Sequence, residues 1–522
     1  MIRSQSKGRF SPDRMFRPAS VAVIGAGTAV GNHVLANLAA SGFPGEVLPV
    51  GSGTPVDEWP TFLTIADLPA PPDLTVIAAT EGPISATLAA LAAEGCFAAV
   101  ALCTAEGISE AVRETGVRVL GPGSFGLAVP GAHLNASRAH LAPKPGRLAL
   151  VSQSSALCRS VLDWAEPNGV GFSHVVGIGD NADIGFALVL DWLARDSGTG
   201  AILIELQRIK NSRAFLSAAR AAARLRPVVA MRAGGLLLDP TGAANAALEA
   251  ALRRAGVLTV SGLEDLLAAA ETLTRARPLR HEGLAIVTNA IGLGRMAADR
   301  ILAEGLALAE LLPVTWRILR ATLAEPIAAV APGVVYVGAD NALRLAETAA
   351  MLAGTHEVGG VLVVHAPTGD SDWPGMQALV AAESSLRVPV LVCVLGETTG
   401  AAHRHQLASA GLPVFAAPEP AVRGFLHIMQ DRRNRLAARE LPSNAVLALA
   451  PDQRTVRHRF HQIRGSGRLT LFADEALEVL SSYGVPIVPH RAVETAEDAA
   501  NAATAIGFSV VVKARTRESA SH

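Results

Sequence analysis

The sequence predicts an α/β protein: a Rossmann-like doubly wound domain, two flavodoxin-like doubly wound domains, and a short last unit of alternating helix and strand. Three observations predict it. Short continuous Val/Ile/Leu runs recur along the chain, and such runs read as strands covered on both faces of a parallel sheet. Ala- and Leu-rich stretches of helical length separate them, as crossover connections require. The pattern then restarts at Gly146 and again at Gly283, each time as a strand, a polar turn and a helix.

In the first 130 residues the strands are SVAVIGA, EVLPVG, LTVIAA, AAVALCT and VRVLGP. The stretches VGNHVLANLAASG and ISATLAALAAEG read as the helices between them. The second unit opens with GRLALVSQSSALCRSVLDWAEPNG and continues through FSHVVGIG, GAILIELQ and PVVAMRAG. The third opens with GLAIVTNAIGLGRMAADRILAEG and continues through GGVLVVHAPTG, VPVLVCVLGE and GLPVFAAP. Beyond HIMQDRRNRLAARELPS the composition turns polar, and the basic cluster RTVRHRFHQIRGSGR reads as a solvated linker or exposed helix face. The expected boundaries are 1–140, 141–278 and 279–440 for the three α/β domains, 441–467 for the linker, and 468–522 for a last unit reading helix, strand, helix, strand.

A chain of 522 residues has room for three or four domains. Half of it is hydrophobic but only 4% is aromatic, so its cores are built from Ala, Val and Leu. A net charge of −1 gives no electrostatic case for nucleic acid. The cysteines Cys96, Cys103, Cys158 and Cys393 have no metal-site spacing and fit a reducing, cytoplasmic compartment. No apolar run approaches the roughly 18 residues of a membrane span, and the first residues lack an apolar signal core.

Four strand-to-helix turns are candidate sites. In VIGAGTAVGNHV, Gly25, Gly27 and Gly31 let the backbone turn tightly and approach a phosphate at the helix start. The spacing is not a clean G-x-G-x-x-G, because Val30 holds the last position, and a plain tight turn is the competing reading. The second strand ends in Val50-Gly51 with no carboxylate for a ribose, which argues against a nicotinamide-dependent dehydrogenase. In LVSQSSALCRSVL, Ser152, Gln153, Ser154 and Ser155 crowd a helix start. Capping needs one serine, and the surplus points to an anion. G-x-S-x-G is absent, which argues against a serine hydrolase. Asn289, Gly292 and Gly294 form a third turn, equally readable as a site or a connection. The fourth, Asp239-Pro240-Thr241-Gly242, holds no good nucleophile, and Asp239 reads as an N-cap.

These turns, in this order, resemble the NDP-forming (ADP-forming) acyl-CoA synthetases, relatives of succinyl-CoA ligase. The resemblance is carried by FRPASVAVIGA, GFPGEVLPV, GVRVLGPGSFGL, LNAS, GRLALVSQSSAL, GFSHVVGIGDNADIGFALVLDWLARDSGTGAILIELQRI, LAIVTN, PVLVCVLGE and AGLPVFAAPEPAVRGFLHI. It implies a first domain that binds CoA or acetyl-CoA through Gly25, Ala26, Gly27, Thr28, Val50, Gly51, Ala79, Thr80 and Thr104. It implies that Ser152 to Ser155 cradle a phosphate passed through a phosphohistidine, and that the last unit begins an ATP-grasp module with Lys513 as an ATP-binding lysine. A homo-oligomer is expected.

The chain departs from that pattern. Pro240 stands where the family's Ser-His-Thr-Gly turn carries its phosphorylated histidine, and Gln207 stands where a glutamate faces it. Glu205 lies two residues earlier, on the same strand face. In place of Asn-Pro-Leu-Asp-Leu the third domain has AVAPGVVYVGADN, with Asp340 displaced. Nine residues follow Lys513, too few to hold the rest of a Mg-ATP site. The resemblance therefore implies no catalytic residue for the ligase step and an acyl-CoA-binding role, with ATP and Mg only where a further ATP-grasp segment is supplied. The runs CRSVLDWAEPNGVGFSHVVGIGD and FLHIMQDRRNR resemble the synthetase-like region of bacterial protein lysine acetyltransferases, which precedes a GNAT domain and senses acyl-CoA. An active ligase subunit completed by a separate ATP-grasp chain is the alternative.

Overall fold

The apolar runs of the first three domains become strands of three sheets. The structure, a computed structural model, describes residues 10–51, 59–323, 327–339, 342–369, 372–439 and 453–513. Residues 1–440 form one unit and 441–522 another.

The first sheet holds β1 (Ser20–Ile24), β2 (Glu46–Val50), β3 (Leu74–Ile77), β4 (Ala98–Ala101) and β5 (Arg118–Leu120). All are parallel, in the order β2-β1-β3-β4-β5. Alternate residues bury on opposite faces: Val21, Val23, Val76 and Val100 in one core, Ile77, Ala99, Ala101 and Val119 in the other. The order reverses at β1, so a crevice opens beyond the carboxyl ends of β1 and β3, where open α/β sheets take ligands.

The second sheet holds β6 (Gly126–Val129), β7 (Leu134–Ser137), β8 (Pro145–Ser152), β9 (Phe172–Gly177), β10 (Ala201–Leu206), β11 (Val228–Arg232) and β12 (Leu258–Val260). Their order is β12-β11-β10-β8-β9-β6-β7. The strands from β8 onward are parallel, whereas β6 and β7 form an antiparallel hairpin on the β9 edge. This hairpin lies before residue 141, the expected start of the second domain, yet its hydrogen bonds go to the second sheet. A short connection lets two extended segments pair antiparallel, and the hairpin covers an edge that would otherwise expose unpaired backbone.

The third sheet holds β13 (Gly283–Thr288), β14 (Ala307–Leu308), β15 (Ala328–Ala331), β16 (Val334–Tyr336), β17 (Gly360–His365), β18 (Val390–Val394) and β19 (Val414–Phe415). The order is β15-β16-β13-β17-β18-β19, with β14 also beside β13.

Two joints tie the sheets together. Near the start of the chain, Phe16 stacks on Trp192 at 5.0 Å and Arg17 reaches Asp196 at 2.8 Å. Between the second and third sheets, helix Leu263–Arg275 packs on helix Pro418–Arg439. There the buried Glu271 accepts from the Val414 amide at 2.8 Å and pairs with Arg275.

In the second unit the helices Gln453–Gly465, Ala473–Ser482 and Ala496–Ile506 form. The basic cluster lies on the first of these, which buries Val456 and Ile463. The expected strands do not form among the described residues. A strand exists by pairing, and the runs near Val488 and Val511 do not pair with each other. Val488, Phe508, Val511 and Val512 are left 70%, 82%, 82% and 76% exposed.

Candidate functional site

The first turn is built to bring a ligand to backbone. Gly25 and Gly27 have φ of +88° and +94°, which L side chains adopt only with strain. Helix Ala29–Ala40 begins at once, capped by Thr28, whose hydroxyl accepts from the Gly31 amide at 3.0 Å. A side chain at Gly31 would place its Cβ 2.2 Å from the Gly25 carbonyl oxygen, so helix and turn are in backbone contact. The Gly25 and Ala26 amides both donate to the Val50 carbonyl, at 2.9 and 3.1 Å, and the Gly27 amide donates to Asn32 Oδ1 at 2.8 Å. The first-turn amides of Ala29 and Val30 are therefore the open donors of this helix.

Gly27, Thr28 and Thr104 are exposed, and Gly25, Gly51, Ala79 and Thr80 are half-buried around the crevice. The side chains of Ala26 and Val50 are buried. These two residues brace the turn through their backbone and present no side chain to a ligand.

The second turn holds a different arrangement. Ser152 closes β8, and Ser154 caps helix Ser155–Ala165 by accepting from the Leu157 amide at 3.1 Å. In the parallel pairing of β8 with β10, Glu205 stands opposite Ser152. Its carboxylate turns into the helix start. One oxygen, Oε2, accepts from the Ser152 hydroxyl at 2.8 Å, the Gln153 amide at 2.9 Å and the Ser154 amide at 3.3 Å. The acceptor at this helix start is thus the chain's own side chain. Ser155 points elsewhere, its hydroxyl donating to the Gly123 carbonyl at 3.4 Å. Cys158, beneath Ser152, is fully buried, and burial pushes its thiol up to about 12, so it is no nucleophile.

Gln153 organises the neighbouring loops. Its side-chain oxygen accepts the amides of Gln207 and Arg208, both at 2.9 Å, and its nitrogen donates to the Gly179 carbonyl at 3.3 Å. Beside it lies a cleft of about 500 Å³, shared by the loops after β4, β8, β9 and β10. Glu110, Asp180, Gln207, Arg208 and Lys210 line it. Arg208 and Lys210 are exposed cations at a wall that sequence reasoning did not assign. Their only sequence signal is position, within four residues of the end of β10.

In the fourth turn the N-cap of helix Ala243–Arg254 is Gly242, not Asp239, which stands three residues before it and reaches the helix from there. Asp239 accepts from the Ala244 amide at 2.7 Å and from the Thr241 hydroxyl at 2.5 Å. The Thr241 hydroxyl, then the Ala244 amide, hold its carboxyl below the usual carboxylate range. Pro240 is exposed and offers no polar side-chain atom. In the third turn, Asn289 is internal bracing: its amide donates to the Ala339 and Ala366 carbonyls and its oxygen accepts the Ala366 amide. Asp340 lies outside the described residues. Lys513 is exposed. Among the described residues no group of His, Cys, Asp and Glu is arranged to hold a metal, and no helix is long and apolar enough to cross a membrane.

Residues 145–273 match the model of the succinyl-CoA ligase like flavodoxin domain, and residues 462–522 match that of an ATP-grasp domain. The chain is 30% identical to acetate–CoA ligase [ADP-forming] I of Archaeoglobus fulgidus, over 96% of this chain and 75% of that protein. It is 26% identical to the alpha subunit of acetate–CoA ligase [ADP-forming] I of Pyrococcus furiosus, over 80% and 96%. Its fold is shared with a dinucleotide forming acetyl-coenzyme A synthetase 1 of Ca. Korarchaeum cryptofilum, with a TM-score of 0.75 over 82% of this chain and 98% of that one, at 23% identity.

Proposed function

The chain belongs to the family of ADP-forming acyl-CoA synthetases, relatives of succinyl-CoA ligase, and from that premise we propose that it binds CoA or acetyl-CoA at the first turn without relaying phosphate through residue 240. The observation that carries the binding reading is the glycine turn at the switch point of the first sheet, with the Ala29 and Val30 amides free to meet a pyrophosphate. Thr80 and Thr104 stand around the same crevice, while the Thr28 hydroxyl is held within the turn by the Gly25 carbonyl and the Gly31 amide. The relay fails on chemistry: a phosphohistidine needs an imidazole, and Pro240 has no side-chain nitrogen. Gln207, at the cleft, carries no charge to orient one.

On this reading the chain is an acyl-CoA sensor. The finer assignment, a regulatory region of a protein acetyltransferase acting with a GNAT segment, in the cytoplasm and as a homo-oligomer, rests on the sequence resemblance alone. ATP belongs on this reading to the ATP-grasp segment, where Lys513 is the residue that would meet the nucleotide.

A second reading is an ADP-forming ligase subunit. It is favoured by the match to an alpha subunit over 96% of that subunit's length. Titration calorimetry with CoA, acetyl-CoA and NAD tests the first reading: the two thioester carriers bind and NAD does not. Incubation with labelled ATP, acetyl-CoA and an ATP-grasp partner tests the second. A phosphoenzyme on this chain would establish the ligase reading and remove the sensor.

A further inference from the structure

Arginines on the helices of this chain are commonly matched by an acid one turn away. Arg113 pairs with Glu110, Arg195 with Asp191, Arg300 with Glu304 and Arg435 with Asp431. Such pairs balance the charge of a solvated helix face. Helix Gln453–Gly465 breaks the habit: it carries four arginines and two histidines and no Asp or Glu. Val456 and Ile463 bury one face, and Arg459, beside that face, is taken by Glu478 at 2.7 Å. Arg454, Arg457, His461 and Arg464 turn away from it and are exposed. Among the described residues none of these three arginines has an acidic partner. Their stripe runs about 15 Å along the helix. Arg454 and Arg457, three residues apart, repel each other unless an outside anion meets them.

One aromatic ring interrupts the stripe. Phe460 is 40% exposed and stands three residues after Arg457 and four before Arg464, so both guanidinium groups neighbour it on the helix surface. Guanidinium groups meet phosphates in bidentate fashion, and an open ring between them offers a base a face to stack on. A lipid surface suits the cations less well, because the apolar face of this helix is already buried and one ring is left to insert. The net charge of −1 averages such a local stripe away. We propose that the outer face of helix Gln453–Gly465 binds single-stranded nucleic acid, with Arg454, Arg457 and Arg464 on phosphates and Phe460 stacked on a base. The inference goes beyond the CoA reading and does not rest on it.

Fluorescence anisotropy of the full chain with a labelled oligouridylate of about twelve nucleotides tests it. Wild type binds with a Kd on the order of 10 μM at low salt, and log K falls against log salt with a slope of about −2, as three phosphate contacts on a single strand require. The triple variant Arg454→Gln, Arg457→Gln, Arg464→Gln loses binding. Phe460→Ala weakens it about tenfold and leaves the salt slope alone, and Phe460→Leu, which keeps an apolar side chain but no aromatic face, does the same. The double variant Arg459→Gln, Glu478→Gln removes a charge pair off the stripe and leaves affinity unchanged. Circular dichroism checks that each variant keeps its helices, which exposed positions allow. Wild type that does not bind the oligonucleotide, Phe460 variants that bind as wild type does, or anionic vesicles bound in place of the oligonucleotide overturn the proposal. The triple variant keeps wild-type CoA affinity, so a failure here and a failure of CoA binding are read separately.

Discussion

The turns after β1 and β8 are the same construction put to opposite ends. Each follows a parallel strand, each has a hydroxyl residue capping the next helix, and each sits at the carboxyl edge of its sheet. In the first, Thr28 caps and the amides of Gly25, Ala26 and Gly27 are absorbed by Val50 and Asn32, so the turn is rigid and the first-turn amides face outward. In the second, Ser154 caps and the corresponding donors point inward to Glu205. A helix start attracts negative charge in both places. What decides whether a ligand can use it is whether a neighbouring strand already delivers a carboxylate. Position 51, at the end of β2 in the first sheet, is glycine; position 205, near the end of β10 in the second, is glutamate.

The comparison breaks most visibly at Gly27. Replacement with valine forces a β-branched residue into a left-handed conformation and sets a side chain beside the open amides. CoA affinity should fall about a hundredfold or more, in line with strain on the order of 1–3 kcal/mol plus the lost approach. Calorimetry reads this, and a Gly27→Val protein with wild-type CoA affinity would end the assignment of the first turn.

Next in size is an effect of pH. Burial holds Glu271 up to about 7, against the opposing pull of Arg275 and the Val414 amide. Its folded value lies above the unfolded one, so the folded state binds the extra proton. Stability from this group is present below about pH 4.5 and is lost as pH rises towards 7, by about 3 kcal/mol in all. Glu271→Gln should therefore gain stability relative to wild type between pH 5 and pH 8, measured by denaturant melts. The gain belongs to the joint between the second and third sheets and leaves the first turn untouched. On the acid side, burial depresses His174, which lies on β9 beside Asp196. The stability it lends is present above the ordinary histidine value and is lost as pH falls below it. His174 belongs to the clamp that seats Phe16 and Trp192, so acid should weaken the second sheet's hold on residues 12–17 before it affects the first turn. Amide exchange at Met15 and Phe16 between pH 7 and pH 5 reads this, and protection that stays constant would count against it.

How much of this was legible in residues follows from how local each feature is. The strand runs and the glycine turn are encoded within ten residues or so, and they were readable. The hairpin at 126–137 was assigned to the wrong side of the boundary because its pairing partner, β9, lies more than forty residues on. Ser152, Gln153, Ser154 and Ser155 point in the sequence to an anion at this helix start. That Glu205 is the acceptor there was hidden, because it depends on β8 and β10 being neighbours in a register that sets Glu205 against Ser152. Strand alternation placed Glu205 on the face of Gln207, and that was as far as one strand alone could go. Val488 and Val511 show the reverse failure: apolar runs announce strands, but pairing makes them.

The smallest expected effect sharpens the comparison with a third helix start. Asp239 plays for helix Ala243–Arg254 the part that Glu205 plays for Ser155–Ala165, an internal carboxylate meeting helix amides, but at the surface. Exposure should reduce its worth, since water already serves both partners. Asp239→Ala should lower the melting temperature less than Glu205→Ala does. Its folded value is depressed, so the stability it adds is present above the unfolded value near 3.8 and fades as pH falls through the folded one. The melting difference between Asp239→Ala and wild type should therefore shrink in acid. Asp239→Asn, which keeps an oxygen for the Ala244 amide, should recover most of the loss at pH 7. If instead Asp239→Ala cost as much as Glu205→Ala, the burial of Glu205 would not be what sets the second turn apart, and the contrast between a plugged and an open helix start would lose its physical basis.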